Sequence, residues 1–143
     1  SGQNCGITND GIKNINLVEL RMPNNLRITD LNHMSKLQKL VASELCKIEN
    51  NGIKSLNLIE LRVYGNHRIT DLNHMSKLQT LNASGRYCAI DNNSIKHLNL
   101  VRLYADFNPK ITDISHMYKL QVLSASGINC AIDDNSIKDL NLI

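Results

Sequence analysis

The sequence predicts an α/β repeat solenoid, one domain made by stacking short parallel strands that are each followed by a tight return. Three observations carry this. The string RITDLNHMSKLQ stands unchanged at 27–38 and 68–79, and returns as KITDISHMYKLQ at 110–121. Landmarks such as Cys5, Cys46, Cys88 and Cys130, or Leu17, Leu58, Leu100 and Leu142, recur at steps of 41 or 42. Within each period, apolar residues two apart give way to apolar residues three apart, which is a switch from strand spacing to a tight turn.

Each period divides into two halves. The first begins at Leu17, Leu58 and Leu100 and reads LVELRMPNN, LIELRVYGN and LVRLYADFN, closing on Asn25, Asn66 and Asn108. Its paired apolar residues predict a strand with one face buried. The steps of three that follow, as in Ile69, Leu72, Met75 and Leu78, predict a 3₁₀ or single-turn helical return. Thr-Asp at 29–30, 70–71 and 112–113 lies just ahead of it, where the carboxylate can accept from free N–H groups. The second half begins at Leu37, Leu78 and Leu120 as L-x-x-L-x-A and reaches a cysteine nine or ten positions later. A single turn cannot bury its own apolar stripe, so the units must stack.

These motifs resemble the leucine-rich repeat family, whose consensus is L-x-x-L-x-L-x-x-N/C-x-L. The segment ITDLNHMSKLQTL is similar to the short internalin-type unit, while the alternation of Asn units with longer Cys units departs from it. The near-identity of the copies is also similar to duplicated arrays in large DNA viruses and amoebae. The resemblance implies a leucine-rich repeat solenoid with a parallel concave sheet and short 3₁₀ or helical turns on the convex side. It covers essentially all of residues 1–143 as a single array. Neither end reads as a polar capping repeat, which makes the segment an expected fragment of a longer array with a tendency to associate end to end.

Composition removes several function classes. Aromatics are 3% of the chain and Trp is absent, a thin supply for an aromatic-lined pocket or a base-stacking platform. The net charge of +3 comes from 16 Lys and Arg against 13 Asp and Glu, with the signs interleaved, so nucleic acid is not the expected partner. No apolar run has the length of a membrane span and no export signal opens the chain. No nucleophile, metal or phosphate-binding motif appears, so neither an enzyme nor a cofactor is expected. Four cysteines at equivalent positions lie two strands apart, about 9–10 Å, too far for a disulfide or a shared zinc. Four reduced, buried thiols are the expectation, and with them an intracellular location. His33, His74 and His116 form one column, read as exposed turn residues. Asn25, Asn66 and Asn108 read as an internal ladder that satisfies backbone groups where each strand ends.

The outward positions of the strands are the ones that the repeat leaves free. They carry Glu19, Arg21 and Pro23; Lys39, Val41 and Ser43; Glu60, Arg62 and Tyr64; Thr80, Asn82 and Ser84; Arg102, Tyr104 and Asp106; Val122, Ser124 and Ser126. Tyr and Arg are the usual anchors of protein interfaces. Arg62, Tyr64, Arg102 and Tyr104 are therefore the expected centre of a partner-binding face, with Glu19, Arg21, Glu60, Asp106 and Phe107 at its rim. The function read from the sequence is a non-catalytic module that binds a protein partner. The alternative is a structural spacer that packs end to end.

Overall fold

The structure, a computed structural model, describes residues 6–140. Six three-residue strands, β1 (Glu19–Arg21), β2 (Lys39–Val41), β3 (Glu60–Arg62), β4 (Thr80–Asn82), β5 (Arg102–Tyr104) and β6 (Val122–Ser124), pair in chain order into one parallel sheet. The sheet forms one wall of a repeat solenoid of about five turns. Register is set by the leucines: Leu20, Leu40, Leu61, Leu81, Leu103 and Leu123 stand opposite one another at the middle of their strands. Their side chains face the core, and those of β2 to β5 are fully buried. The first and third residue of each strand therefore face away from the core, because successive side chains alternate.

The returns are of two kinds, and the sequence reading of a tight 3₁₀ or single-turn return concerned only the first. After the Asn half, the chain descends in isolated i→i−3 bonds, Met34 N to Leu31 O at 2.9 Å and Leu37 N to Met34 O at 3.0 Å, repeated at 72–78 and 114–120. Each such turn drops one apolar side chain into the core, which is why the apolar spacing is three. Asp30, Asp71 and Asp113 accept the amides of Asn32, Asn73 and Ser115 two residues on, so they brace these turns and cap no helix. The helices lie instead after the Cys half: α1 (Asn9–Ile12), α2 (Asn50–Ile53), α3 (Asn92–Ile95) and α4 (Asp134–Ile137). Four residues cannot sustain a helix alone. Asp91 and Ser94 close a reciprocal capping box on α3, and Asp133 accepts from the Ser136 amide at α4.

The polar columns pin neighbouring units. Asn66, fully buried, donates to Ala42 O at 2.8 Å and accepts from the amides of Arg68 and Ile69. Asn108 likewise donates to Ala83 O and accepts from the Lys110 amide, while Asn25 accepts from the Arg27 and Ile28 amides and donates to Ile7 O. A second Asn column, Asn9, Asn50 and Asn92, donates to the hydroxyls of Thr29, Thr70 and Thr112 and accepts their amides. Among the described residues, no buried side-chain nitrogen or oxygen lacks a partner.

Candidate functional site

The outward face of the sheet is the first place to look, since its identities are not fixed by packing. Charges on its first half neutralise one another. Arg21 Nε lies 2.6 Å from Glu19 on the same strand, Arg62 Nε lies 2.8 Å from Glu60, and Lys39 Nζ reaches Glu60 from the neighbouring strand at 3.8 Å. The hydrogen bond and charge of Arg21 hold the Glu19 carboxyl below its ordinary range. Glu19, Arg21, Glu60 and Arg62 thus already satisfy each other, which limits what they offer a partner.

The second half differs. Arg102 is exposed, and among the described residues no carboxylate lies within ion-pair distance of it. Tyr104, half-buried, is on the same strand, two residues along. The β4 residues between β3 and β5 are the short Thr80 and Asn82, in register with Glu60 and Arg62 on one side and with Arg102 and Tyr104 on the other. Arg62, Arg102 and Tyr104 therefore flank a low strip. Asp106 does not join them as a free acid: it accepts from Ser124 Oγ, Ser126 Oγ and Ser126 N at 2.7–2.9 Å. Partial burial raises its pKa, but the serine bonds outweigh that and leave it below the ordinary carboxylate value. Its role is to tie β5 to β6.

Tyr64 and Phe107 leave the sheet altogether. They stand at its carboxyl edge, where one residue per unit takes the left-handed conformation: Asn24, Glu44, Gly65, Gly85, Phe107 and Gly127. Phe107, at φ 58°, is a bulky residue in a region that side chains avoid, and it packs its ring where a Cβ on Gly127 would sit. Tyr64 lies against Gly85. Beside it opens a groove of about 530 Å³ lined by Leu45, Tyr64, His67, Arg86, Tyr87 and Lys110, with Glu44 at one side. The sequence offers two signals for it. Gly65 and Gly85 stand where other copies carry Asn24, Glu44 and Phe107. The Cys unit beginning at Leu78 is also one residue longer than that beginning at Leu37, which inserts Arg86-Tyr87 where the earlier copy has Leu45 alone.

No family model matches this chain, and no curated protein matches it.

The remaining columns serve the scaffold. Cys46 and Cys88 are buried free thiols, and burial pushes the Cys88 thiol up to about 11 and that of Cys46 upward. Cys130 is free but only half-buried, which departs from the expected column of fully buried thiols because no further unit covers it within the described residues. Cys5 lies outside the described residues. His33, His74 and His116 are more than exposed turn residues: each Nε2 lies 3.0–3.3 Å from the carbonyl of Ile12, Ile53 or Ile95, the last residue of a short helix in the preceding turn. A carbonyl only accepts, so the ring donates from Nε2 and satisfies a helix C-terminus. Among the described residues, no three His, Cys, Asp or Glu side chains are placed to hold a metal, and no helix is long and apolar enough to cross a membrane.

Proposed function

We propose that this chain is a non-catalytic protein-interaction module of leucine-rich repeat type, which takes a protein partner on the open face of its parallel sheet. The reading is supported by the L-x-x-L-x-(apolar) strands, the buried Asn25, Asn66 and Asn108 ladder and the single sheet. One observation carries the binding surface. Arg102 is an unneutralised cation beside Tyr104, next to the low strip of Thr80 and Asn82, whereas the Arg residues of β1 and β3 are already ion-paired. Desolvating a free Arg against a partner carboxylate adds a new ion pair, while desolvating a paired Arg only exchanges one pair for another.

Capture of partners from a lysate of the source cells tests this, with the wild type and an Arg102→Ala, Tyr104→Ala double variant as baits. A partner retained by the first and lost by the second, with unfolding midpoints unchanged, is the expected result. Partners retained equally by both would refute the open-face reading.

The assembly alternative has its own observation. Ile12, Ile15, Leu17, Leu20, Met22 and Ile28 line an apolar hollow of about 450 Å³ at the first unit, the shape that a stacked neighbour would fill. Sedimentation across a concentration series separates the two readings, because only assembly raises the sedimentation coefficient without a partner.

A further inference from the structure

The edge groove beside Tyr64 is built by what two units leave out. Elsewhere along the carboxyl edge, the left-handed position carries Asn24, Glu44 or Phe107, or Gly127, whose open space the Phe107 ring fills. At Gly65 and Gly85 two successive units carry no side chain. The floor is bare backbone, and a Cβ on Gly85 would come within 3.1 Å of Gly65 N. The walls are apolar and open to solvent: Leu45 is 61% exposed, Tyr64 47% and Tyr87 67%. Exposed side chains of this size gathered around one hollow mark a binding surface more than scattered ones do.

Cations outnumber acids around the groove. Arg86 lies over the Tyr87 ring at 5.1 Å from its centre, and Lys110 adds a second cation to the rim. The one acid lining the groove, Glu44, accepts a hydrogen bond from Asn24 Nδ2 of the preceding unit at 2.5 Å. Among the described residues, neither Arg86 nor Lys110 has a carboxylate within ion-pair distance. The edge backbone offers no anion cradle, because the Gly65 and Gly85 amides are spent on Ser84 O and Asp106 O. Recognition there falls to side chains.

We propose that this groove binds an acidic peptide segment of a protein partner, with an apolar side chain seated between Leu45, Tyr64 and Tyr87 and carboxylates held by Arg86 and Lys110. The proposal rests on the reading of the chain as a partner-binding module, but not on the open face of the sheet. A volume of about 530 Å³ is within the usual range for ligand-binding clefts, room for an apolar side chain and its neighbours. Leu45 and the two tyrosines favour an apolar anchor, which a sugar-phosphate backbone would not supply.

The test is fluorescence anisotropy with a short labelled peptide carrying Phe-Leu at its centre and Glu-Asp-Glu on each side. Controls replace Phe-Leu by Ala-Ala, replace the acids by Ser, or use labelled oligothymidylate. The wild type is expected to bind the acidic apolar peptide with micromolar affinity that weakens as salt rises, and each control at least tenfold more weakly. Arg86→Glu is expected to lose at least tenfold. Gly65→Asn fills the floor with the residue that Asn24 places at the same φ, where a Cβ meets nothing closer than 3.8 Å, so it folds and still loses at least tenfold. The Arg102→Ala, Tyr104→Ala variant is expected to bind the peptide like the wild type, so failure of the groove and failure of the open face register on different proteins. No binding by the wild type, binding that survives Gly65→Asn and Arg86→Glu, or tighter binding of oligothymidylate would overturn the proposal.

Discussion

Asn66 shows how much one side chain does in this fold. Its amide donates to Ala42 O and its oxygen accepts from the amides of Arg68 and Ile69, so one buried residue satisfies three backbone groups where the strand leaves the sheet. Asn66→Ala removes all three partners at once. With each buried orphan costing about 1–3 kcal/mol, less for any that water reaches, the loss expected is about 3 kcal/mol, read as a lower urea midpoint. Cys88 supplies a pH-dependent counterpart. Its thiol rises from 9.0 to about 11 on folding because burial disfavours the thiolate. A raised pKa gives stability that is fully present below pH 9 and lost as pH rises through 11. The stability gap between wild type and Cys88→Ala is therefore expected to narrow between pH 8 and pH 11. Iodoacetamide at pH 8 is expected to modify Cys130 in the native protein and to reach Cys46 and Cys88 only after unfolding.

At the scale of elements, legibility follows periodicity. The strands and their register were readable because L-x-x-L-x-(apolar) repeats in every unit and a slip of one residue would expose every leucine. The turns after Asn were readable for the same reason, at a period of three. The short helices were not, since NNGI and NNSI show no period and are held by tertiary anchors. Gly52 is the clearest case. A Cβ there would lie 2.1 Å from Thr29 O and 2.9 Å from Ile48 Cγ1, so α2 seats directly on the preceding unit. At the equivalent place in α3 and α4, Ser94 closes a capping box with Asp91 and Ser136 donates to Thr112 O. The two designs fail differently. Gly52→Ala forces backbone apart and is expected to destabilise by about 1–3 kcal/mol, whereas Ser94→Ala loses only a cap, about 1 kcal/mol. Differential scanning calorimetry of both variants checks the order. The groove was overlooked for a related reason: it depends on side chains missing at Gly65 and Gly85, and a reading that searches for functional residues passes over missing ones. The open-face set was readable as positions, but the sequence did not show that Glu19 and Glu60 would neutralise Arg21 and Arg62 and leave Arg102 alone.

For the whole molecule, stacking makes stability a sum of units and the interfaces between them. Leu81 on β4 is fully buried between two neighbours, while Leu123 on β6, the equivalent residue, is only partly buried. The same truncation should therefore report position in the stack. Leu81→Ala removes a side chain packed on both sides and is expected to cost about 3–4 kcal/mol, and Leu123→Ala about half of that. Hydrogen exchange gives the matching profile. The amides of Val63 and Ala83, which bond across to Asn82 O and Tyr104 O in the middle of the sheet, are expected to be the most protected. Those of β1 and β6 are expected to exchange first, through fraying that leaves the centre folded. Equal costs for the two leucine variants, with uniform protection from β1 to β6, would mean that the array unfolds as one cooperative block and that interfaces between units outweigh position.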